Sequence, residues 1–424
     1  MLRKKMDNPT TCMAIVFIIG YLFIIFEHPI GLNKATTALM MGVICWIFQF
    51  ANAAFTPEEN MQYLGLHLSD ISQVIVFLLG ALIIVEILNA HQGFDILLRF
   101  FRTLSKRKIL WGIGLVTFFL SSILDNLTAT IVMVSILQKL IRDPKDRLLI
   151  GGGIVIAANT GGVWTPIGDV TTTMLWIGGQ ISTVQTIQTL FVPSFISFIM
   201  SFLCLTFFVK GNIEQPPSIE NKQMTSLSLA VLILGLGSLV LVPIFKVVTG
   251  LPPFMGMIFG LSLLWTFTDF IYRKEQDHPL KAVEIASKID LSGPLFFLGI
   301  LLTVNALETS HLLTSLAHWL DSYFHSTAII ATLIGIASSL VDNIPLVAAT
   351  MGMYDMAQYP MDSSFWQLIA YCAGTGGSLL IIGSAAGVIL MAMERVSFSS
   401  YLKYITIPAF IGYISGIFTY FLIS

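Results

Sequence analysis

The amino-acid sequence predicts an all-α polytopic membrane protein made of two inverted-topology repeats of five spans, each with a re-entrant hairpin and a broken transmembrane helix. Three observations lead to this prediction. Apolar segments of membrane-spanning length recur along the chain, two long apolar segments carry polar residues in their middle, and short motifs of the first half return in the second. Together they predict one membrane-embedded body in place of two or three soluble domains.

The composition excludes a soluble domain. Hydrophobic residues make up 55% of the 424 positions and charged residues 11%, and the mean hydropathy is +0.84. Soluble domains carry roughly a quarter charged residues, so this chain lacks the surface that water requires. Runs of about 20 apolar residues are long enough to cross a hydrocarbon core of ~30 Å. They lie near residues 11–27, 35–53, 71–91, 148–179, 187–209, 225–245, 253–272, 290–308, 365–393 and 404–423.

The net charge and the cysteines exclude further classes of protein. The net charge is −2 and no basic tail is present, so a nucleic-acid partner is not expected. The basic start of the chain resembles a signal peptide, but the apolar stretch 13–26 lacks a small-residue cleavage site and is predicted to be the first span. Four cysteines, which lack the spacing of a metal site or a disulfide framework, are predicted to be packing residues. These are Cys12, Cys45, Cys204 and Cys372.

The segment 110–140 is predicted to be a re-entrant hairpin that enters from the cytoplasm. As one helix its 31 residues would be about 46 Å long, well beyond the hydrocarbon thickness. Basic residues flank it on both sides, and lysine and arginine concentrate in cytoplasmic loops. A hairpin keeps both flanks in the cytoplasm, whereas a simple span would not. The flanking basic residues are Arg99, Arg102, Lys106, Arg107, Lys108, Lys139, Arg142, Lys145 and Arg147.

The segment 327–355 is predicted to be the matching hairpin, entering from outside. Its middle contains an Asp-Asn pair, Asp342 and Asn343, as the first hairpin also does. Its flanks, 309–326 and 356–364, contain no lysine or arginine, which is typical of loops outside the cytoplasm. The same element is therefore expected twice, in opposite orientations.

Other motifs recur at similar offsets. Residues 77–88 align with 296–307 at six of twelve identical positions, and Thr-Gly-Gly at 160–162 aligns with 375–377. These offsets are 219 and 215, and the Asp-Asn pairs are 217 apart, close to half the chain. Inverted repeats of this kind are typical of secondary transporters, whose binding site lies where the repeats meet. The predicted division is 1–209 for the first repeat, 210–224 for the linker and 225–424 for the second repeat.

Two glycine-rich breaks are predicted to divide the spans 148–179 and 365–393 into half-helices. The first break, 159–169, contains three glycines and a proline, and the second is 374–384. Such sequences free backbone carbonyls and amides, which membranes tolerate only beside protein or a water-filled cavity. Freed carbonyls together with Asp, Asn, Ser and Thr oxygens suit a hard cation.

Oxygen-bearing side chains at the hairpin tips and breaks are therefore the candidate ion-binding residues. An aspartate near mid-bilayer costs roughly 2.5–3.5 kcal/mol, so three of them indicate function. Helix capping is the competing interpretation of the tips, and helix packing that of the glycine pairs. The candidates are Ser121, Asp125, Asn126, Thr128, Asn159, Thr160, Asp169, Thr171, Thr172, Ser338, Asp342, Asn343, Thr375 and Ser378.

Within this set the acidic residues are the candidates for proton coupling. They are joined by Glu86, in the span before the first hairpin, for which an ordering role in the scaffold is the alternative. The proton-coupling candidates are Asp125, Asp169, Asp342 and Glu86, and the Na⁺ ligands are predicted to be Asp125, Asn126, Asp169, Asp342 and Asn343.

Other chemistries find little support in the sequence. His91, at a membrane boundary, is interpreted as structural. The histidines at 311, 318 and 325 share a spacing of seven, but no cysteine or carboxylate cluster accompanies them, so a metal site is not expected. No phosphate-binding loop, HExxH motif or nucleophile elbow occurs in a usable context. The chain is thus not predicted to be an enzyme, and no cofactor is expected.

The chain resembles the ion transporter superfamily, and in particular the NhaD-type sodium/proton antiporters. The resemblance lies in the tips 121–130 and 338–347 and in the glycine breaks. The most specific features are 122–128 and 161–176, and the resemblance extends from about Glu27 to the C-terminus. It implies a homodimer, an elevator-like motion of the hairpin-bearing part and a bacterial cytoplasmic membrane. It also implies transport roles for Ser121, Asp125, Asn126, Asn159, Asp169, Thr171, Thr172, Ser338, Asp342 and Asn343.

The sequence thus predicts a secondary active transporter that exchanges Na⁺, with Li⁺ as an alternative ion, for H⁺ in a lipid membrane. Sodium and protons would compete for the same carboxylates. The alternative on the same fold is sodium-coupled symport of a small anion such as a dicarboxylate. Three acidic groups would repel that substrate, since their motifs (121–130, 159–169 and 338–347) contain no lysine or arginine. A cation channel is disfavoured because inverted repeats suit alternating access.

Overall fold

The computed structural model describes residues 9–25, 31–94, 105–212, 225–274, 279–324, 326–340 and 342–424. Within these ranges the regular structure is helical, apart from one isolated β-bridge between Ser105 and Asn212. Some residues on which the sequence analysis drew lie outside the described ranges. They are Arg3–Lys5, Glu27, Arg99, Arg102, the linker from 213 to 224, and His325.

The described part of the chain forms nineteen helices. Some of their ends carry clear caps: Asp143 caps the helix that begins at Pro144 by accepting hydrogen bonds from the amides of Lys145 and Asp146, and Gly250 ends another helix with a left-handed φ of 73°. The helices are α1 (Pro9–Ile25), α2 (Lys34–Ala51), α3 (Pro57–Ala90), α4 (Lys106–Ser121), α5 (Asn126–Leu140), α6 (Pro144–Gly162), α7 (Val170–Ile177), α8 (Thr183–Phe208), α9 (Ser226–Thr249), α10 (Pro253–Ile271), α11 (Ala282–Ala286), α12 (Ser292–Thr309), α13 (Leu312–Tyr323), α14 (Thr327–Ala337), α15 (Asn343–Met353), α16 (Ser364–Gly376), α17 (Ala385–Glu394), α18 (Phe398–Tyr404) and α19 (Thr406–Ile423).

Seven of the described helices are long and apolar enough to cross a membrane: α2, α3, α8, α9, α10, α12 and α19. A polytopic membrane protein is therefore confirmed. Helix α3 is longer than the predicted span 71–91, since it begins at Pro57 and has 34 residues. The added segment is polar but contains good helix formers, so hydropathy marks the apolar part of the helix and not its beginning.

The four interruptions predicted from the sequence are present in the structure. In the predicted hairpin segments, α4 ends at Ser121 before α5 begins at Asn126, and α14 ends at Ala337 before α15 begins at Asn343. In the predicted broken spans, residues 163–169 separate α6 from α7, and residues 377–384 separate α16 from α17. Polar tips and glycine clusters therefore do end helices in this chain.

The chain forms two compact units, each of which draws segments from both halves of the sequence. The first unit consists of Met1–Leu79, Asp290–Ile330 and Ile344–Pro360, and the second of Gly80–Ile289, Ala331–Asn343 and Met361–Ser424. In the first unit, α2 packs closely on α12, because Gly299 lets the two backbones touch at Ala38. The indole of Trp46 donates a hydrogen bond to the carbonyl of Leu302 at 3.0 Å across the same contact.

The second unit contains both glycine breaks. Helices α4, α6, α8 and α19 pack together there, and Phe118, Phe198 and Phe202 form an aromatic core with ring centroids 4.3–5.3 Å apart in successive pairs. Ion pairs tie helix ends together: Lys106 to Asp146 at 2.6 Å and Arg147 to Glu394 at 2.9 Å. All four cysteines are free, and Cys45 and Cys372 are buried, as packing residues would be.

Candidate functional site

Each glycine break ends in a residue that caps the half-helix after it. Asp169 has extended backbone angles before α7, and its Oδ1 accepts hydrogen bonds from the amide (2.9 Å) and hydroxyl (2.8 Å) of Thr171. Ser384 holds the same place before α17, and its Oγ accepts from the amide of Gly387 at 3.3 Å. Both satisfy a free amide of the first turn. The first break thus carries an acidic cap and the second a neutral one.

Glycine allows each broken helix to cross its neighbour in direct backbone contact. A Cβ at position 161 in α6 would overlap the carbonyl oxygen of Phe118 in α4. In the second break, a Cβ at position 376 in α16 would overlap the carbonyl oxygen of Gly335 in α14. Because only hydrogen fits at these crossings, the breaks are held directly against the helices that precede the tips.

Two serines extend these crossings. The hydroxyl of Ser121, at the end of α4, donates to the carbonyl of Ala158 in α6 at 2.6 Å. The hydroxyl of Ser338, after α14, shares its hydrogen between the carbonyl of Gly335 in α14 at 2.7 Å and that of Ala373 in α16 at 2.9 Å. Both serines are fully buried. They fix each tip to the helix that ends in the neighbouring break.

A chain of buried amides joins the first tip to both breaks. The side-chain amide nitrogen of Asn126 donates to Oδ2 of Asp169 at 2.9 Å and to Oδ1 of Asn159 at 3.0 Å. The amide nitrogen of Asn159 donates to the hydroxyl oxygens of Ser378 and Ser384, each at 2.9 Å. We call these five residues the amide network. All of them are less than 5% exposed.

The two tips also carry the aspartates Asp125 and Asp342. Asp125 caps α5: its Oδ1 accepts from the amide of Thr128 at 2.9 Å, and its Oδ2 accepts from the Thr128 hydroxyl at 2.6 Å. Asp342 and the buried Asn343 lie at the start of α15. The charges of Asp125 and Asp342 both act on Asp169. Both tips thus add negative charge near the Asp169 carboxylate, and negative charge attracts a cation.

Three further threonine candidates direct their hydroxyl hydrogens to nearby carbonyls. Thr160, Thr375 and Thr172 donate to carbonyls four, four and three residues earlier in the chain, at 2.7, 2.5 and 2.8 Å. This is the usual bond of a threonine inside a helix or its first turn. The structure thus brings together Asn126, Asn159, Asp169, Thr171 and Ser378 from the predicted set, whereas Thr160 and Thr375 bond within their own helices.

Glu86 lies apart from this network. It is half-buried in α3, and within the described part of the chain its carboxylate receives no hydrogen bond or ion pair. Its proposed role in proton exchange remains a prediction. His91, one turn further along, places Nδ1 2.8 Å from the carbonyl of Ile87 and packs near the ring of Tyr272.

No cluster of three or more His, Cys, Asp and Glu side chains that could hold a metal ion occurs among the described residues. The oxygen atoms that the amide network and Thr171 place around Asp169 belong to amides and hydroxyls. Oxygen ligands of this kind are those that hard cations prefer.

Three residues that complete the site were not among the predicted ion-binding residues. Ser384 follows Asp169 by 215 residues, so an alignment of the two breaks contains the signal for it. Tyr401 donates to the carbonyl of Ser378 at 2.8 Å, and Thr406 to that of Leu379 at 2.7 Å. Neither lies in a motif, and only the fold brings them to the break.

Comparison with known proteins relates the whole chain to membrane transporters. The model of the citrate transporter family, CitMHS, matches residues 21–368. Sodium/proton antiporter 1 of Arabidopsis thaliana is 49% identical over 97% of this chain and 72% of its own length, and sodium/proton antiporter 2 is 47% identical over 96% and 98%. The Na(+)/H(+) antiporter NhaD of Alkalimonas amylolytica is 29% identical over 96% of this chain and 89% of its own length.

Proposed function

The chain belongs to the citrate transporter family and to the NhaD-type sodium/proton antiporters, and on this premise we propose that it exchanges Na⁺ for H⁺ at Asp169. It is a transporter and not an enzyme. The observation that carries the proposed site is the Asp169 carboxylate, 1% exposed, held between Thr171 and Asn126 beside two further acidic groups.

Exchange follows from competition at this carboxylate. Burial away from water favours the protonated form of a carboxylic acid, whereas a bound cation favours the ionised form. Asp169 therefore binds Na⁺ or H⁺ but not both, and either one neutralises its charge. An empty, charged Asp169 at membrane depth is costly, so the site crosses the membrane only when loaded. Asn126 and Asn343 supply amide oxygens, and Asp125 and Asp342 supply negative potential.

Symport of an anion is less compatible with the same geometry. The family model takes its description from citrate, which carries negative charge. Among the described residues, no lysine or arginine makes a hydrogen bond or ion pair with the amide network, and three aspartates act there together. Cationic donors, arginine above all, give a carboxylate substrate its strongest hydrogen bonds. Li⁺, which is a smaller hard cation, is the expected alternative substrate.

The architecture proposed with this function is an inverted repeat with two re-entrant hairpins. Its support is a set of paired contacts: Ser121 with Ala158 and Ser338 with Ala373, at sequence offsets of 217 and 215. An elevator-like motion, a homodimer in lipid and a bacterial cytoplasmic membrane remain predictions from the family resemblance. Relatives occur in a plant as well as in bacteria, so the membrane that holds this protein is to be identified by localising it in cells.

Ion flux in proteoliposomes tests the function. With an imposed pH gradient, addition of Na⁺ or Li⁺ should release protons through the purified protein, because both cations compete for Asp169. Addition of K⁺ or citrate should not. A pH-sensitive dye inside the vesicles measures the flux, and protein-free vesicles are the control. Sodium-dependent uptake of labelled citrate without proton movement would replace antiport with symport.

Cysteine labelling tests the two hairpins. In a cysteine-free background, single cysteines at Lys108 and Lys145 should react with a membrane-impermeant maleimide only from the cytoplasm. Cysteines at Ser322 and Gln358 should react only from outside, because the second hairpin enters from that side. All four positions are on exposed chain segments. Labelling of Lys108 and Lys145 from opposite sides would contradict the first hairpin.

A further inference from the structure

The two glycine breaks have matching backbones but offer a cation very different ligands. Position 384 follows 169 by 215 residues, the offset that also relates Gly161 to Gly376. Asp169 carries a carboxylate, whereas Ser384 has a single hydroxyl, and both are 1% exposed. The second break therefore lacks the charge that compensates a dehydrated cation in the first.

The backbone carbonyls of the two breaks also differ. In the second break, Tyr401 donates to the carbonyl oxygen of Ser378 at 2.8 Å, and Thr406 donates to that of Leu379 at 2.7 Å. At the corresponding positions 163–164 of the first break, no hydrogen bond from the described part of the chain reaches the carbonyl oxygens. A donor hydrogen beside a carbonyl oxygen opposes the approach of a cation. The carbonyls of Ser378 and Leu379 are thus engaged by side-chain donors, whereas their counterparts at positions 163 and 164 are not. Elsewhere in the first break, the carbonyl of Pro166 accepts from the hydroxyl of Thr173 at 2.9 Å.

The side chains of the second break serve a different purpose, which is to orient Asn159. Its amide nitrogen donates to both serine oxygens, Ser378 and Ser384, at 2.9 Å. Because this nitrogen faces the two serines, the amide oxygen of Asn159 faces the opposite direction, where it accepts a hydrogen bond from the side-chain nitrogen of Asn126. Asn126 can then direct its remaining amide hydrogen to Asp169.

We infer that the second break is a positioning element and not a second cation site, and that Ser384 acts with Ser378 as its positioning residues. Ser384 orients the side-chain amide of Asn159, which orients Asn126 and, through Asn126, the Asp169 carboxylate. This role rests on the sodium site proposed above. The chain then has one carboxylate cation site. Without Ser384 the Asn159 amide can rotate and turn its NH₂ toward the NH₂ of Asn126, where two donors repel and Asp169 loses its partner.

Exchange kinetics of Ser384→Ala test this role. Loss of one buried hydrogen-bond acceptor should raise the half-saturating Na⁺ concentration about tenfold, while the maximal rate changes little. Ser384→Thr keeps the hydroxyl and should restore the wild-type value. The control is Ser397→Ala, because Ser397 caps α18 through Ser400 in the same way but lies outside the amide network. That variant should behave as wild type.

A second measurement does not depend on the folding of one variant. Calorimetric titration of the purified protein with NaCl should give one Na⁺ per chain, and Ser378→Ala, which removes the other acceptor of Asn159, should weaken binding without changing that number. Two Na⁺ per chain, with one lost in Ser384→Ala or Ser378→Ala, would overturn the inference. So would unchanged half-saturation in Ser384→Ala. Wild-type protein that neither binds nor exchanges Na⁺ would instead overturn the proposed function.

Discussion

Replacing Asp169 with serine is expected to raise the half-saturating Na⁺ concentration for proton flux by tenfold or more, although the protein stays folded. Serine retains an N-cap acceptor for the amide of Thr171, so α7 keeps its cap. It removes the carboxylate, and a neutral hydroxyl cannot compensate a dehydrated cation. Asp169→Glu keeps the charge but moves it, so an intermediate defect is expected. Proton flux in proteoliposomes as a function of Na⁺ concentration measures the effect.

The pH dependence of the same variants gives a second readout. In the wild-type protein the half-saturating Na⁺ concentration should rise as the pH falls, because protons compete for Asp169. In Asp169→Ser this rise should be much weaker, since the competing group is gone.

A matched control is Asp143→Ser. Asp143 is also an N-cap aspartate, bonded to the amides of Lys145 and Asp146, but it lies at the exposed start of α6. Its half-saturation should equal that of the wild type. If Asp169→Ser also leaves the half-saturation unchanged, Asp169 is a structural cap and the cation binds elsewhere.

Alanine at Gly161 or Gly376 is expected to prevent the second unit from folding normally. In each case the new methyl group would overlap a backbone carbonyl oxygen, that of Phe118 or of Gly335. A carbonyl in a packed helix cannot move aside as a flexible side chain can, so each variant should lose about 3 kcal/mol or more of folding free energy. Size-exclusion chromatography and thermal unfolding of the detergent-purified protein measure the loss.

Gly237→Ala is the control for these variants. Gly237 lies within α9 with no atom within 4 Å of the position its Cβ would take. Alanine there should be tolerated or stabilising, because alanine favours a helix over glycine by about 1 kcal/mol. Wild-type unfolding temperatures for Gly161→Ala and Gly376→Ala would mean that the helices separate without penalty, and the close crossings would not be needed for the fold.

The sequence was sufficient to predict the membrane class, most of the spans and the four interruptions. Each depends on a local property: twenty apolar residues suffice for a span, and glycine with proline or a polar tip ends a helix wherever it occurs. The same dependence on local properties explains why the beginning of α3 was predicted wrongly. Hydropathy falls before residue 71, but helix propensity does not, so the helix begins at Pro57.

The tertiary structure alone decided which oxygen atoms meet. Asp125 and Asn126 are adjacent in the sequence, yet Asp125 bonds to its own helix and Asn126 reaches Asp169, because one step along a helix turns the side chain to another face. Asn159 and Ser384 are 225 residues apart and share a hydrogen bond only because two broken helices lie side by side. Tyr401 carries no motif at all. Composition and spacing show which polar groups the chain contains, whereas the packing of the helices determines the hydrogen-bond partner of each group.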